Sequence, residues 1–194
     1  MDTFRLSLFY SSMKKNIPNM LTVLRLILTF VIILLFIFDI PFRYWIILGC
    51  FFVASFTDFL DGFLARKWNV VSDFGIVFDS LFDKILVLSV FLLLIPYNLL
   101  PVWIWVLFLI RELFVDGIKN FCLGAGHPIP AIKLGKWKFF FQIIMIHLCL
   151  LLLIFPNDFW MWKAMYLFAG MSLLFSYGSA VVYTHSFFHF LQKK

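Results

Sequence analysis

Long apolar stretches dominate this chain, and each is close to the length that crosses a lipid bilayer. A helix needs about 20 residues to span about 30 Å of hydrocarbon. Six such stretches cover residues 20–39, 43–64, 75–97, 101–123, 139–156 and 164–188. The chain is 64% hydrophobic and holds 28 Phe in 194 residues, more apolar surface than a soluble domain of this size can bury. We therefore predict an all-α integral membrane protein with six transmembrane helices, forming one domain over residues 1–194.

The first 19 residues are more polar and form a juxtamembrane segment before the first span. No cleavable signal peptide is visible, because polar residues interrupt this segment too often. Its apolar and basic residues have the pattern of a short amphipathic helix on the lipid surface: Phe4, Leu6, Leu8, Phe9 and Met13 with Arg5, Lys14 and Lys15. The alternative is a disordered tail.

The distribution of Lys and Arg predicts the orientation in the membrane. With the N-terminus in the cytoplasm, the inside segments carry Arg5, Lys14, Lys15, Arg66, Lys67, Lys119, Lys133, Lys136, Lys138, Lys193 and Lys194. The outside turns then carry only Arg43 and Lys163. Since cytoplasmic loops are enriched in basic residues, we predict that both termini are cytoplasmic. The net charge of +6 is explained by this topology and by anionic membrane lipid, so no nucleic-acid partner is predicted.

Two pairs of aspartates stand out near the predicted cytoplasmic face. Asp58 and Asp61 are spaced i, i+3, and Asp79 and Asp83 are spaced i, i+4, so each pair shares one face of its helix. Crowded carboxylates need cations, and oxygen ligands suit Mg²⁺ or Mn²⁺. Two such ions can hold a pyrophosphate. The alternative is that these aspartates form structural ion pairs with nearby basic residues, namely Arg66, Lys67 and Lys84.

Small and basic residues follow the first aspartate pair. Gly62 and Ala65 have small side chains or none, which allows a ligand to approach the helix backbone closely. Arg66 offers a forked donor for phosphate oxygens. In the first span, Asn19, Thr22 and Arg25 are further candidates for contact with a phosphorylated ligand, although helix capping and packing explain the first two equally well.

The full pattern is Asp58-x2-Asp61-Gly62-x2-Ala65-Arg66-x8-Gly75-x3-Asp79-x3-Asp83. It resembles, without a gap, the signature of the CDP-alcohol phosphatidyltransferase family. The resemblance implies six transmembrane helices, a homodimer and a cytoplasmic site with two divalent cations, Mg²⁺ or Mn²⁺. It also implies transfer of a substituted phosphate from a CDP-linked donor to an alcohol, with release of CMP.

Carried onto this chain, the resemblance gives each signature residue a role. It implies that Asp58, Asp61 and Asp79 ligate metal, and that Asp83 both ligates metal and accepts the proton of the acceptor hydroxyl. The residues implied to line the CDP pocket are Gly62, Ala65, Arg66 and Gly75.

Two further stretches bear on the acceptor alcohol. Residues 16–29 and the segments "RELFVDGIK" and "LGKWKFFFQ" resemble family members whose acceptor is glycerol 3-phosphate. A phosphorylated acceptor would also give partners to Arg111, Lys133 and Lys136, which we predict to bind its phosphate. The alternatives are a plain positive-inside loop for the lysines, and an ion pair with Glu112 or Asp116 for Arg111.

The sequence also departs from those members. They commonly read Leu-Asp-Pro-x-Ala-Asp-Lys around the second aspartate pair, whereas this chain has "FDSLFDK", with Ser80 and Phe82 in place of proline and alanine. A phenylalanine next to Asp83 changes the space open to the acceptor.

The predicted function is therefore transfer of the phosphatidyl group from CDP-diacylglycerol to sn-glycerol 3-phosphate, at the cytoplasmic face of a bacterial inner membrane. The alternative acceptors are inositol phosphate, serine, choline and phosphatidylglycerol. The alternative of another class is a cation transporter, whose intramembrane carboxylates would bind the transported ion.

Overall fold

A computed structural model describes the backbone of residues 2–68, 73–127, 129–130 and 132–192, and the side chains of residues 20–58, 81–127, 129–130 and 132–192. The described backbone is helical apart from its connecting turns. The helices are α1 (Asp2–Ile37), α2 (Arg43–Trp68), α3 (Asp73–Leu94), α4 (Val102–Gly124), α5 (Lys133–Ile154) and α6 (Phe159–Gln192). A short 3-10 helix, Ile95–Tyr97, follows α3. The predicted all-α class is confirmed.

The N-terminal segment differs from the sequence expectation in one respect. α1 runs without a break over 36 residues, so the predicted interfacial helix and the first span form one helix. Polar residues interrupt the hydropathy there without interrupting the helical backbone. At 1.5 Å per residue, α1 is about 54 Å long, which exceeds the hydrocarbon thickness. The amphipathic pattern of residues 4–15 lies outside the described side chains.

Three of the described segments are long and apolar enough to cross a membrane: Met20–Ile37, Lys133–Ile154 and Phe159–Gln192. α4 is also long, at 23 residues, but it carries four charged residues, Arg111, Glu112, Asp116 and Lys119. Charges inside a span are costly unless they are paired. The chain is thus a multi-pass membrane protein.

The first compact unit, Met1–Leu93, contains α1 and α2 and nearly all of α3. α1 packs along α2. Ile47, Phe51 and Ala54 lie on one face of α2 and have no exposed surface. The buried face of α1 is mixed, since three polar residues, Thr22, Arg25 and Thr29, are followed at helical spacing by Ile32. Small and hydroxyl side chains allow such close helix packing in lipid, where hydrophobicity alone does not drive helices together.

The second compact unit, Leu94–Lys194, contains α4, α5 and α6. α6 packs against both α5 and α4. The turn that precedes α4 ends the 3-10 helix at Asn98, which adopts a left-handed conformation with φ of 56°, and Pro101 then leads into α4. The single domain predicted for residues 1–194 stays a prediction.

Candidate active site

Arg25 of α1 joins two of the signature aspartates. Its Nη2 lies 3.2 Å from Oδ1 of Asp58 in α2, and its Nη1 contacts Oδ1 of Asp83 in α3. The Arg25 side chain is fully buried, whereas the two carboxylates are 19% and 22% exposed. The two carboxylates therefore converge on one guanidinium, with a part of each open to the surroundings.

Two threonine hydroxyls near these charged groups form hydrogen bonds within their own helices. Thr29 Oγ1 donates to the backbone carbonyl oxygen of Arg25, at 2.8 Å. Thr57, the residue before Asp58, donates from Oγ1 to the carbonyl of Ala54, also at 2.8 Å. Because both hydroxyls are satisfied within their own helices, they can be buried beside the charged group without leaving an unpaired donor.

The contact brings Asp58 of α2 close to Asp83 of α3, whereas the sequence spacing predicted only that each aspartate pair shares one face of its own helix. Asp61 follows Asp58 by three residues in α2, and Asp79 precedes Asp83 by four residues in α3. The side chains of Asp61 and Asp79 lie outside those that the structure describes, as do the donor-pocket positions Gly62, Ala65, Arg66 and Gly75. Of the three first-span candidates for ligand contact, Thr22 and Arg25 are buried, and the side chain of Asn19 lies outside those that the structure describes.

The two described aspartates have the chemistry that a divalent cation of the Mg²⁺ type requires. Carboxylate oxygens are its preferred protein ligands, and the Asp58 and Asp83 carboxylates lie beside the same guanidinium and are partly exposed. Among the side chains that the structure describes, no group of three metal-ligating residues occurs. That set does not include Asp61 and Asp79, so the site with four carboxylates stays a prediction. Its two described members, Asp58 and Asp83, are ligands of the type that Mg²⁺ prefers.

A second buried charged group lies in the other unit and links all three of its helices. Glu112 of α4 accepts from Arg111 Nη1 at 3.1 Å through Oε2, and it contacts Lys138 Nζ of α5 through Oε1. Arg111 also donates from Nε to the carbonyl oxygen of Ser176 in α6, at 3.0 Å, and from Nη2 to Ser179 Oγ. Arg111, Glu112 and Lys138 are each 6% exposed. Buried charges need this degree of pairing.

The predicted acceptor-phosphate residues are thus in different surroundings. Arg111 is buried and makes the Glu112 ion pair that the sequence left open as an alternative. Lys133 and Lys136 are exposed in the first turn of α5. Sequence reasoning placed Lys138 with these lysines, and missed its pairing with Glu112. The sequence feature that could have predicted this pairing is Glu112 itself, since a carboxylate inside an apolar helix requires a cation as its partner.

The loop before α5 is tied to α6 by Tyr183. The Tyr183 hydroxyl accepts a hydrogen bond from the Ile132 amide at 3.2 Å, and the Lys119 ammonium lies 4.6 Å from the centre of the Tyr183 ring. Ile129 and Ile132 pack against the buried cluster of Val115, Ala180 and Tyr183. These contacts fix the point at which α5 begins, and so the placement of its first basic residues.

Comparison with known proteins identifies a family and several relatives that this chain resembles. The family model described as CDP-alcohol phosphatidyltransferase matches residues 15–177. A Cereibacter sphaeroides protein named CDP-diacylglycerol–glycerol-3-phosphate 3-phosphatidyltransferase is 36% identical over 138 residues, which is 69% of this chain and 62% of that protein. The proteins of the same name from Bacillus subtilis and Rickettsia typhi are each 36% identical, over 70% and 71% of this chain and 77% of their own lengths. The chain therefore matches less than two thirds of the first relative.

Proposed function

Because this chain belongs to the CDP-alcohol phosphatidyltransferase family, we propose that it is a phosphatidylglycerophosphate synthase. It transfers the phosphatidyl group of CDP-diacylglycerol to sn-glycerol 3-phosphate, and the products are phosphatidylglycerol phosphate and CMP. The reaction class is supported by the family match together with the convergence of Asp58 and Asp83 on Arg25. The acceptor is supported by the names of the relatives.

The proposed reaction is a substitution at the phosphorus that carries the diacylglycerol. The acceptor hydroxyl oxygen forms a bond to this phosphorus, the bond from phosphorus to the CMP oxygen breaks, and CMP leaves with the electron pair. Asp83 accepts the hydroxyl proton at a carboxylate oxygen. Asp58, Asp61, Asp79 and Asp83 would hold two divalent cations, Mg²⁺ or Mn²⁺, whose positive charge would stabilise the negative charge that develops on the phosphate oxygens and on the leaving group.

The metal ligands in this proposal are Asp58, Asp61, Asp79 and Asp83. The partial exposure of Asp58 and Asp83 supports their part, because a ligand must be reached from outside the helix bundle.

The donor pocket in this proposal consists of Gly62, Ala65, Arg66 and Gly75. Glycine and alanine leave room for the nucleotide, and Arg66 suits the pyrophosphate oxygens.

The acceptor phosphate is proposed to bind Arg111, Lys133 and Lys136. The guanidinium of Arg111 is a planar, forked donor of the kind that binds phosphate, and Lys138 is a second cation in contact with the same carboxylate, Glu112. Lys133 and Lys136 are exposed at the start of α5, where a water-soluble acceptor can meet them.

We also propose the arrangement in the membrane. All six helices cross a bacterial inner membrane, both termini and the site face the cytoplasm, and the enzyme is a homodimer. Support for the six crossings comes from the six apolar stretches and the six observed helices. Support for the orientation comes from the basic residues, which concentrate in the segments predicted to be cytoplasmic.

The proposal is tested by CMP release from purified protein in detergent with CDP-diacylglycerol and Mg²⁺. The acceptors to compare are glycerol 3-phosphate, inositol phosphate, serine, choline and phosphatidylglycerol. Release with glycerol 3-phosphate alone is the expected result. Release only with another alcohol would keep the reaction and replace the acceptor, and no release with any of them would contradict the enzyme assignment.

A further inference from the structure

Arg25 has no exposed surface, which is unusual for a charged side chain in a helix that crosses lipid. The contacts to Asp58 and Asp83 account for its charge, but they also constrain the carboxylates. We propose that Arg25 is a positioning residue: it holds the Asp58 and Asp83 carboxylates in the orientation that binds the divalent cations. This inference rests on the proposed function, because it gives a role to two of the proposed metal ligands.

The shape of the guanidinium makes it suitable for this role. Its two terminal nitrogens are fixed in one plane, and each contacts a different aspartate. One rigid group therefore sets the spacing between an α2 carboxylate and an α3 carboxylate. A lysine ammonium at the same position would carry the charge without the fork.

The contacts of the two carboxylates with Arg25 are compatible with metal binding by the same carboxylates. Both contacts use Oδ1. A carboxylate has lone pairs on two oxygens and accepts several ligands at once. Groups that hydrogen-bond to ligating carboxylates fix their orientation, and loss of such a group typically weakens metal affinity by about 10–100-fold.

Arg25 is itself held in place by its neighbours. Thr29 Oγ1 donates to the Arg25 carbonyl oxygen, and Thr22 is buried on the same face of α1. The fully buried Ala54 of α2 permits close approach of the two helices in this unit. The Arg25 guanidinium is therefore carried by a segment of α1 whose backbone is held in place by packing.

The test is direct Mn²⁺ binding to purified protein without substrates, with free Mn²⁺ followed by its electron paramagnetic resonance signal. The variants are Arg25→Gln and Arg25→Lys. The control is Arg43→Gln, which removes an arginine–aspartate pair to Asp39 in the same unit, at 3.0 Å, with the Asp39 side chain 89% exposed.

We expect the control to bind Mn²⁺ as the wild type does. Arg25→Gln should bind it about 10–100-fold more weakly, and Arg25→Lys should fall between the two. If Arg25→Gln is not monodisperse, the comparison of Arg25→Lys with the wild type decides the matter, since lysine keeps the charge.

Unchanged or tighter Mn²⁺ binding in the Arg25 variants would overturn the inference, because Arg25 would then be a bystander or a competitor of the metal. If the wild type binds Mn²⁺ and releases CMP, that outcome leaves the proposed function standing. A wild type that neither binds Mn²⁺ nor releases CMP would instead overturn the proposed function, and this inference with it.

Discussion

The buried charges of the second unit make a prediction about which partner matters most for stability. Glu112 contacts both Arg111 and Lys138. Replacing Glu112 with glutamine leaves two buried cations without their shared counter-charge. Replacing Lys138 with methionine leaves Glu112 paired with Arg111, which is a neutral pair.

The magnitudes follow from the burial of all three groups, each 6% exposed. Removal of one partner from a buried pair costs about 3–5 kcal/mol, so we expect Glu112→Gln to lower the free energy of unfolding by about 3 kcal/mol or more. We expect Lys138→Met to cost about 1.5 kcal/mol, because its contact with the Glu112 carboxylate is lost but no ammonium remains to be buried. The double variant should cost less than the sum of the two.

The assay is reversible unfolding in mixed micelles, followed by circular dichroism, for the wild type, the two single variants and the double variant. Equal costs for Glu112→Gln and Lys138→Met would refute the reasoning, because the charge balance would then be irrelevant. Additive costs in the double variant would refute it as well, since the two residues would not be coupled.

Four other substitutions have defined outcomes. Asp83→Asn should lower kcat by roughly 10²–10⁴-fold in a protein that elutes as the wild type does, because the proton acceptor is lost, and near-normal turnover would remove that role. Asp79→Asn should leave almost no transfer of labelled phosphatidyl group at any Mg²⁺ concentration used for the wild type, and full activity would exclude it as a ligand. Lys136→Ala should mainly raise KM for glycerol 3-phosphate while CDP-diacylglycerol binding is unchanged, whereas the exposed Lys163→Ala should change neither. Tyr183→Phe should lower the free energy of unfolding by about 1 kcal/mol through loss of its hydrogen bond to the loop before α5, and a thermal melt identical to that of the wild type would show the bond to be unimportant.

Much of the fold followed from hydropathy, because a bilayer forces apolar stretches of a certain length into helices. All six predicted stretches fall on observed helices, and the family resemblance is confirmed. The predicted ends of the helices were less accurate. The fifth stretch was predicted over residues 139–156, whereas α5 is Lys133–Ile154, since a helix continues through basic residues that hydropathy excludes.

The partners of the charged residues were much harder to predict. Helical spacing places each aspartate pair on one face, but Arg25 lies 58 residues before Asp83, and no local pattern connects them. The pairing of Glu112 with Lys138 is equally remote, because it depends on how α4 and α5 pack. A charged residue in an apolar segment indicates that a partner of opposite charge exists, but only the tertiary structure shows which residue that partner is.

The most direct test of the account is product formation by the purified protein from CDP-diacylglycerol labelled in its phosphatidyl phosphate, with unlabelled glycerol 3-phosphate and Mg²⁺. The account predicts that the label moves into phosphatidylglycerol phosphate with one CMP released for each product, and that removal of Mg²⁺ by a chelator stops both. Label that stays in CDP-diacylglycerol, or that moves into product equally well after chelation, would contradict it.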